Sequence, residues 1–236
     1  SHSRCRPCTP SGYRLSTLGP QEPHSLAAEM LQRQRASALL ASMARGLASV
    51  DKVPVELFVM SKCPDAAACE QVFGPVLREL ADVVNVSLGM IASDGGETCM
   101  HGPTECEGDR QQLCVQKVAA GNVSQLVDFV LCQDEDRVSI PTNGAKCATR
   151  VGLTAQQLTE CANSDVGRGL MRDSAQSTAE RGIQVSCTVR VGGENFCVHN
   201  GGWQDCGSCG DDKADCLRAR LCELAPSTPA CHGLHV

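Results

Sequence analysis

The sequence predicts an α/β fold whose two halves, β-α-β and β-β-α, flank a helical insertion held by disulfides. Three observations lead there. A nearly continuous apolar run, Val53 to Met60, ends close to Cys63-Pro64, where a helical pattern starts. Two short β-branched runs meet at Gly192-Gly193 late in the chain. Between them lie helical patterns punctuated by cysteines, part of a total of 17 among 236 residues.

The elements follow in order. Residues 1–23 hold Cys5, Cys8 and several Pro and Gly, which predicts an irregular arm. From Ser25 to Ala48 the residues Leu26, Met30, Leu31, Leu39, Leu40, Met43 and Leu47 keep close to an i, i+3, i+4 rhythm, so residues 1–50 read as an arm plus an amphipathic helix. Val53 to Met60 has the composition of a strand buried on both faces. Pro64 suits the first position of the next helix and Asp65 its first turn. Pro75 is expected to kink that helix, and Val83 to Ile91 reads as the second strand. Helical patterns fill an insertion of about 95–181, and Leu158 to Ala179 fits a helix pair or one long helix. Gln184 to Val191 and Asn195 to Val198 read as a hairpin around the two glycines. A last helix covers Lys213 to Leu224, and residues 232–236 form a tail. With the insertion set aside, the order is that of a thioredoxin-like core, placed over residues 51–231.

Composition narrows the function. A net charge of −6 argues against nucleic acid, because phosphate binding needs a Lys/Arg surplus. Cysteine makes up about 7% of the chain and is spread along it, which reads as a disulfide framework suited to the secretory pathway, whether secreted or retained in a lysosome or vacuole. Sequons at Asn85 and Asn122 fit that compartment as glycosylation sites. An odd number of cysteines requires at least one free thiol or a bond to another molecule, a disulfide-linked dimer included. Apolar stretches reach about ten residues, short of the ~20 that span a bilayer. Since the chain begins at Ser1, a signal peptide or anchor would lie outside it.

Cys99-Met100-His101-Gly102-Pro103-Thr104-Glu105-Cys106, with Cys114 eight residues on, resembles the signature of the gamma-interferon-inducible lysosomal thiol reductases. That signature reads Cys-Gln-His-Gly, two residues, Glu-Cys, two residues, Asn, four residues, Cys. Met100 stands for its Gln and Asp109 for its Asn. Glu160-Cys161-Ala162 through Gly167-Arg168-Gly169-Leu170-Met171 to Ala175-Gln176, the tail pair Cys222 and Cys231, and Asn85-Val86-Ser87-Leu88 also resemble the family. The wording around Cys63 and His101 is most similar to the fungal branch. The resemblance covers residues 53–231. It implies a thiol–disulfide oxidoreductase acting on protein or peptide disulfides, with electrons from a small thiol or dithiol and no organic cofactor.

Family members carry Cys-x-x-Cys at the end of the first strand, the first Cys attacking and the second resolving. Cys63 occupies the attacking position, and a helix N-terminus is a place that favours a thiolate. Lys62 adds a nearby positive charge. The resolving position, however, is Ala66. Cys69 comes next, but residues six apart in an intact helix are ~10 Å apart, beyond the ~7 Å limit for a disulfide. Either the helix is broken there or Cys69 does not pair with Cys63 directly. The thioredoxin-like cis-Pro is also missing: its place falls near Val185-Ser186, and Cys187 beyond it offers another partner for Cys63. His101 is a proton-transfer group or a turn-stabilising residue next to Gly102. Cys99, Cys106, Cys114, Cys132, Cys147, Cys161, Cys222 and Cys231 are expected in the framework. Cys206-Gly207-Ser208-Cys209 and Cys5-Arg6-Pro7-Cys8 have redox spacing but sit in loops. Cys206, Cys209, Cys216 and Cys222 could be drawn as a zinc set, which an oxidising context disfavours, so no metal is expected. The rival to the enzyme is a secreted, stapled binding or effector protein that keeps the fold without the chemistry. An exposed, reducible Cys63 would mark the enzyme, and a Cys63 locked in a buried cystine would mark the binder.

Overall fold

The computed structural model describes residues 52–232. The expected arm and helix of residues 1–50, with Cys5 and Cys8, lie outside the described residues. So do residues 233–236 of the tail.

Strand β1, Val53–Val59, buries Leu57, Phe58 and Val59 in succession, as a strand covered on both faces must. Helix α1, Pro64–Glu79, begins with Pro64, whose missing N–H would have no partner in the first turn anyway, and runs on through Pro75. Strand β2, Val84–Met90, lies parallel to β1 with Val55 opposite Val86. The insertion is five helices: α2, Pro103–Ala119; α3, Val123–Asp134; α4, Gly144–Arg150; α5, Ala155–Ala162; and α6, Asp165–Glu180. Then come β3, Thr188–Val191, β4, Glu194–His199, the short β5, Trp203–Gln204, and helix α7, Lys213–Leu224. The sheet order is β2-β1-β3-β4-β5, with β3 antiparallel to β1.

Two expectations are refined. The strand expected from Gln184 starts only at Thr188, because Ser186 directs its polar groups to the end of β1 instead of into a ladder. The stretch from Leu158 to Ala179 is a helix pair, with Ser164 capping α6 through the Val166 N–H. A Cβ on Gly167 would lie 2.4 Å from the Cys161 carbonyl oxygen, so the turn between α5 and α6 is this tight only with glycine there. At the hairpin tip, Gly192 and Gly193 have φ of 63° and 85°, as a two-residue turn matching the sheet twist requires.

Helices cover both faces of the sheet. Leu57, Val86 and Leu88 meet Leu77 of α1 and Leu126 of α3, whereas Phe58 faces the other way, where Thr178 of α6 lies beside Gly89. Phe73, wholly buried on α1, meets Phe196 and Trp203 edge-on at 5.9 and 5.2 Å, so half of the chain's six aromatics tie α1 to β4 and β5. Burying a side chain of this kind stabilises the fold by about 2–3 kcal/mol.

Seven disulfides form among the described residues. Cys99–Cys106 clips the entry to α2, Cys114–Cys161 joins α2 to α5, and Cys132–Cys147 joins α3 to α4. Cys197–Cys206, Cys209–Cys216 and Cys222–Cys231 hold the C-terminal third. The redox spacing of Cys206 and Cys209 is thus divided between two different cystines. The seventh, Cys69–Cys187, links α1 to the stretch before β3. No helix among the described residues is long and apolar enough to cross a membrane.

Candidate active site

Cys63 is the one free cysteine among the described residues. It is the N-cap residue of α1 in extended conformation, and its side chain makes no capping bond, so the thiol is committed neither to the helix nor to a disulfide. Its Sγ lies 3.8 Å from the carbonyl oxygen of Ser186. The Ser186 hydroxyl in turn accepts the Met60 N–H at 3.1 Å. Ser186 therefore holds the end of β1 and the thiol to the stretch before β3. The Ser186–Cys187 peptide bond is cis, at the place where the thioredoxin-like cis-Pro was sought.

The two residues before Cys63 are gripped from the insertion. The Ser61 N–H donates to Asp109 Oδ1 at 2.8 Å, the Ser61 hydroxyl to the Glu105 carbonyl at 3.2 Å, and the Lys62 N–H to Glu105 Oε2 at 3.3 Å. Both acids belong to the Cys-His-Gly…Glu-Cys signature and neither has any solvent exposure. His101 completes the grip: its Nδ1 is 2.5 Å from Glu105 Oε2, and its N–H donates to Glu105 Oε1 at 3.0 Å. Lys62 reaches away from the thiol, donating from Nζ to the carbonyls of Val138 at 3.0 Å and Ile140 at 2.7 Å, while Arg137 donates to the Lys62 carbonyl. The Lys62 ammonium thereby anchors the loop. Burial pushes the Asp109 carboxyl up to about 7, against the opposing pull of its Ser61 bonds.

Two further polar pairs flank the thiol. Asp65, in the first turn of α1, is 2.6 Å from His199 Nδ1 and accepts the Gly201 N–H at 2.7 Å. His199 also exchanges backbone bonds with Cys187, at 3.1 and 2.9 Å. One histidine thereby fixes Cys187 relative to the helix that carries Cys63. One helical turn beyond Ala66, Glu70 is buried and faces Asp134 of α3. Burial raises Glu70 well above the ordinary carboxylate range, with Asp134 adding to the effect, and burial raises Asp134 to about 7.

The residues singled out in the sequence fall as follows. Cys63 and Cys187 come together through Ser186. Cys69 is not opposite Cys63: residues 64–79 are helical, and Cys69 is bonded to Cys187, with both side chains wholly buried. His101 faces Glu105, to which both its ring Nδ1 and its backbone N–H are bonded. Asn85, on the edge strand β2, and Asn122, capping α3 by accepting the Gln125 N–H, are both exposed. Cys63 itself is free yet only 7% exposed, neither the open thiol nor the locked cystine expected of the two readings. Sequence reasoning missed Glu105 and Asp109 as loop clamps, though both stood inside a quoted motif. It also missed His199, which no spacing signals. Beside the site, a cleft of about 410 Å³ is lined by Met60, Ile91, Thr98, Met100, Ala179 and Ile183. Among the described residues no three His, Cys, Asp or Glu side chains form a metal-holding group.

A free cysteine capping the helix after β1, opposite the turn into β3, in a mixed sheet with a helical insertion, defines a thioredoxin-like fold of the DsbA type. Solved structures bear this out: the reduced form of the disulfide bond oxidoreductase DsbG from Mycobacterium tuberculosis superposes with a TM-score of 0.53 at 14% identity, over 76% of this chain and 81% of that one. Oxidised DsbA from the same organism gives 0.54 at 15% identity, over 76% and 86%. Residues 54–151 match the family model of the gamma interferon inducible lysosomal thiol reductase (GILT). GILT-like protein 1 of Drosophila melanogaster is 32% identical over 152 residues, 55% of this chain and 61% of that protein. The gamma-interferon-inducible lysosomal thiol reductase-like protein of Anopheles gambiae is 31% identical over 153 residues, 54% and 61%. The chain thus spans 61% of the length of these curated relatives.

Proposed function

We propose that this protein is a thiol–disulfide oxidoreductase that reduces disulfides in proteins or peptides through Cys63. The observation that carries the reading is a single uncommitted thiol at the N-terminus of α1, with its Sγ against the Ser186 carbonyl. The thiol stands at the head of the helix, where backbone N–H groups have no partner within the helix. The thiolate attacks one sulfur of the substrate disulfide, the Sγ–S bond forms, and the other half leaves as a thiolate that takes a proton. The cleft beside Met60, three residues before Cys63 in the chain, offers the substrate chain a mostly apolar wall. Electrons come from a small thiol or a dithiol, with no resident cofactor. Seven cystines and two exposed sequons fit an oxidising secretory or lysosome-like compartment, with glycans at Asn85 and Asn122.

A second reading has one observation in its favour, the burial of Cys63: a stapled binding protein on the same fold would keep its thiol covered. Turnover separates the two. Reduction of a disulfide-bridged peptide by a small thiol, followed at pH 5 and pH 7, should fall at least about hundredfold in Cys63→Ser. Equal rates for the variant and the parent would establish the stapled scaffold.

A further inference from the structure

The geometry points to the Cys69–Cys187 disulfide as the second redox centre of the site, opened and closed only through Cys63. The inference rests on the oxidoreductase reading above and supplies the resolving step that Ala66 cannot perform. Cys187 directly follows the residue whose carbonyl touches the Cys63 thiol at 3.8 Å. Its backbone is pinned to His199, which is bonded to Asp65 at the start of the helix carrying Cys63. Cys69, six residues along the same helix, is ~10 Å from Cys63 by helix geometry and out of direct reach. Inward from the surface the order is therefore Cys63, Cys187, Cys69. Cys69 and Cys187 have no solvent exposure and Cys63 has 7%, so a thiol arriving from solvent meets Cys63 first.

The chemistry balances over three thiols. Once Cys63 holds half of a substrate in a mixed disulfide, the Cys187 thiolate attacks Cys63 Sγ and expels the second substrate half as a thiolate, which takes a proton. The Cys69 thiolate then attacks Cys187 Sγ, and Cys63 is returned as a thiol. The substrate disulfide has gained two electrons and two protons, and Cys69 and Cys187 have lost them. That oxidised state, spent until it is recharged, is the arrangement seen here: Cys69–Cys187 bonded and Cys63 free. Recharging runs in the opposite direction. Cys63 attacks Cys187 and frees Cys69. One molecule of a small thiol opens Cys63–Cys187, and a second releases Cys63, leaving the oxidised dimer of the small thiol.

The test is partial reduction of the full chain by a small thiol at pH 7, quenched with acid at intervals, alkylated and mapped by mass spectrometry, for the parent and for Cys63→Ser. Burial alone predicts that Cys69–Cys187 opens after the more exposed cystines in both proteins. The relay predicts that it opens among the first in the parent, with a Cys63–Cys187 peptide captured in the quenched samples, and at least about tenfold more slowly in Cys63→Ser. Equal opening rates in the two proteins, or opening after the exposed cystines in the parent, would overturn it. The substrate assay keeps the two proposals apart. If Cys63→Ser loses turnover but opens Cys69–Cys187 at the parent's rate, the oxidoreductase stands and the relay falls. If turnover survives the substitution, the oxidoreductase reading itself has failed.

Discussion

Asp109→Asn tests how the signature controls the loop and what it costs with pH. Asp109 is wholly buried, with Oδ1 accepting the Ser61 N–H at 2.8 Å, and burial raises its carboxyl from 3.8 to about 7. In the unfolded chain the acid ionises at its ordinary value, while the folded protein holds the proton up to about 7. Between those values the folded state binds more protons, so stability falls as pH rises. This group's contribution is fully present below about 3.8 and is lost as pH passes through about 7, with a ceiling of about 4 kcal/mol. From pH 5 to pH 8 the loss is about 2.5 kcal/mol. Glu70 and Asp134, raised by burial too, act in the same direction. An asparagine can accept the same Ser61 bond and never ionises. Asp109→Asn should match the parent only below about pH 3.8, exceed it by about 1.5 kcal/mol at pH 5 and by about 4 kcal/mol at pH 8, and show the shallower decline. Guanidinium unfolding followed by circular dichroism at pH 5, 6, 7 and 8, with disulfides intact, measures this. Parallel stability curves for the two proteins would show that Asp109 does not titrate in this range and refute the reasoning.

Two other outcomes follow from packing and capping. Gly108→Ala would put a Cβ 2.3 Å from Ile140 Cγ2 and 2.6 Å from the Ser61 Oγ, so it should cost about 1–3 kcal/mol in thermal or guanidinium unfolding. Asn122→Ala removes the acceptor for the Gln125 N–H and should cost about 1 kcal/mol, whereas Asn122→Asp keeps the cap, abolishes the sequon, and should stay near the parent.

Much of the scaffold was legible because local chemistry decides it. The apolar run of β1, Pro64 opening α1 and two glycines at positive φ each leave a mark within a few residues. The Cys63 position was legible for the same reason. The Cys69–Cys187 pairing was not, since its partners are 118 residues apart and only the folded sheet brings β3 beside β1. The anchoring role of Lys62 was not legible either, because only the path of residues 138–140 shows where the ammonium is held. His199 escaped because its role depends on β4 ending beside the start of α1, which no spacing encodes.

The grip of Glu105 and Asp109 falls on the backbone of Ser61 and Lys62, not on any sulfur. Backbone amides are the same in every residue, so this grip is indifferent to what stands at position 66. A pattern search built on the Cys-His-Gly…Glu-Cys motif therefore selects chains able to shape the approach to the helix, whether or not they retain a dithiol. On the relay proposed above, sorting such chains into reductases and retired scaffolds requires looking at the turn before β3, where Cys187 sits, bonded to Cys69.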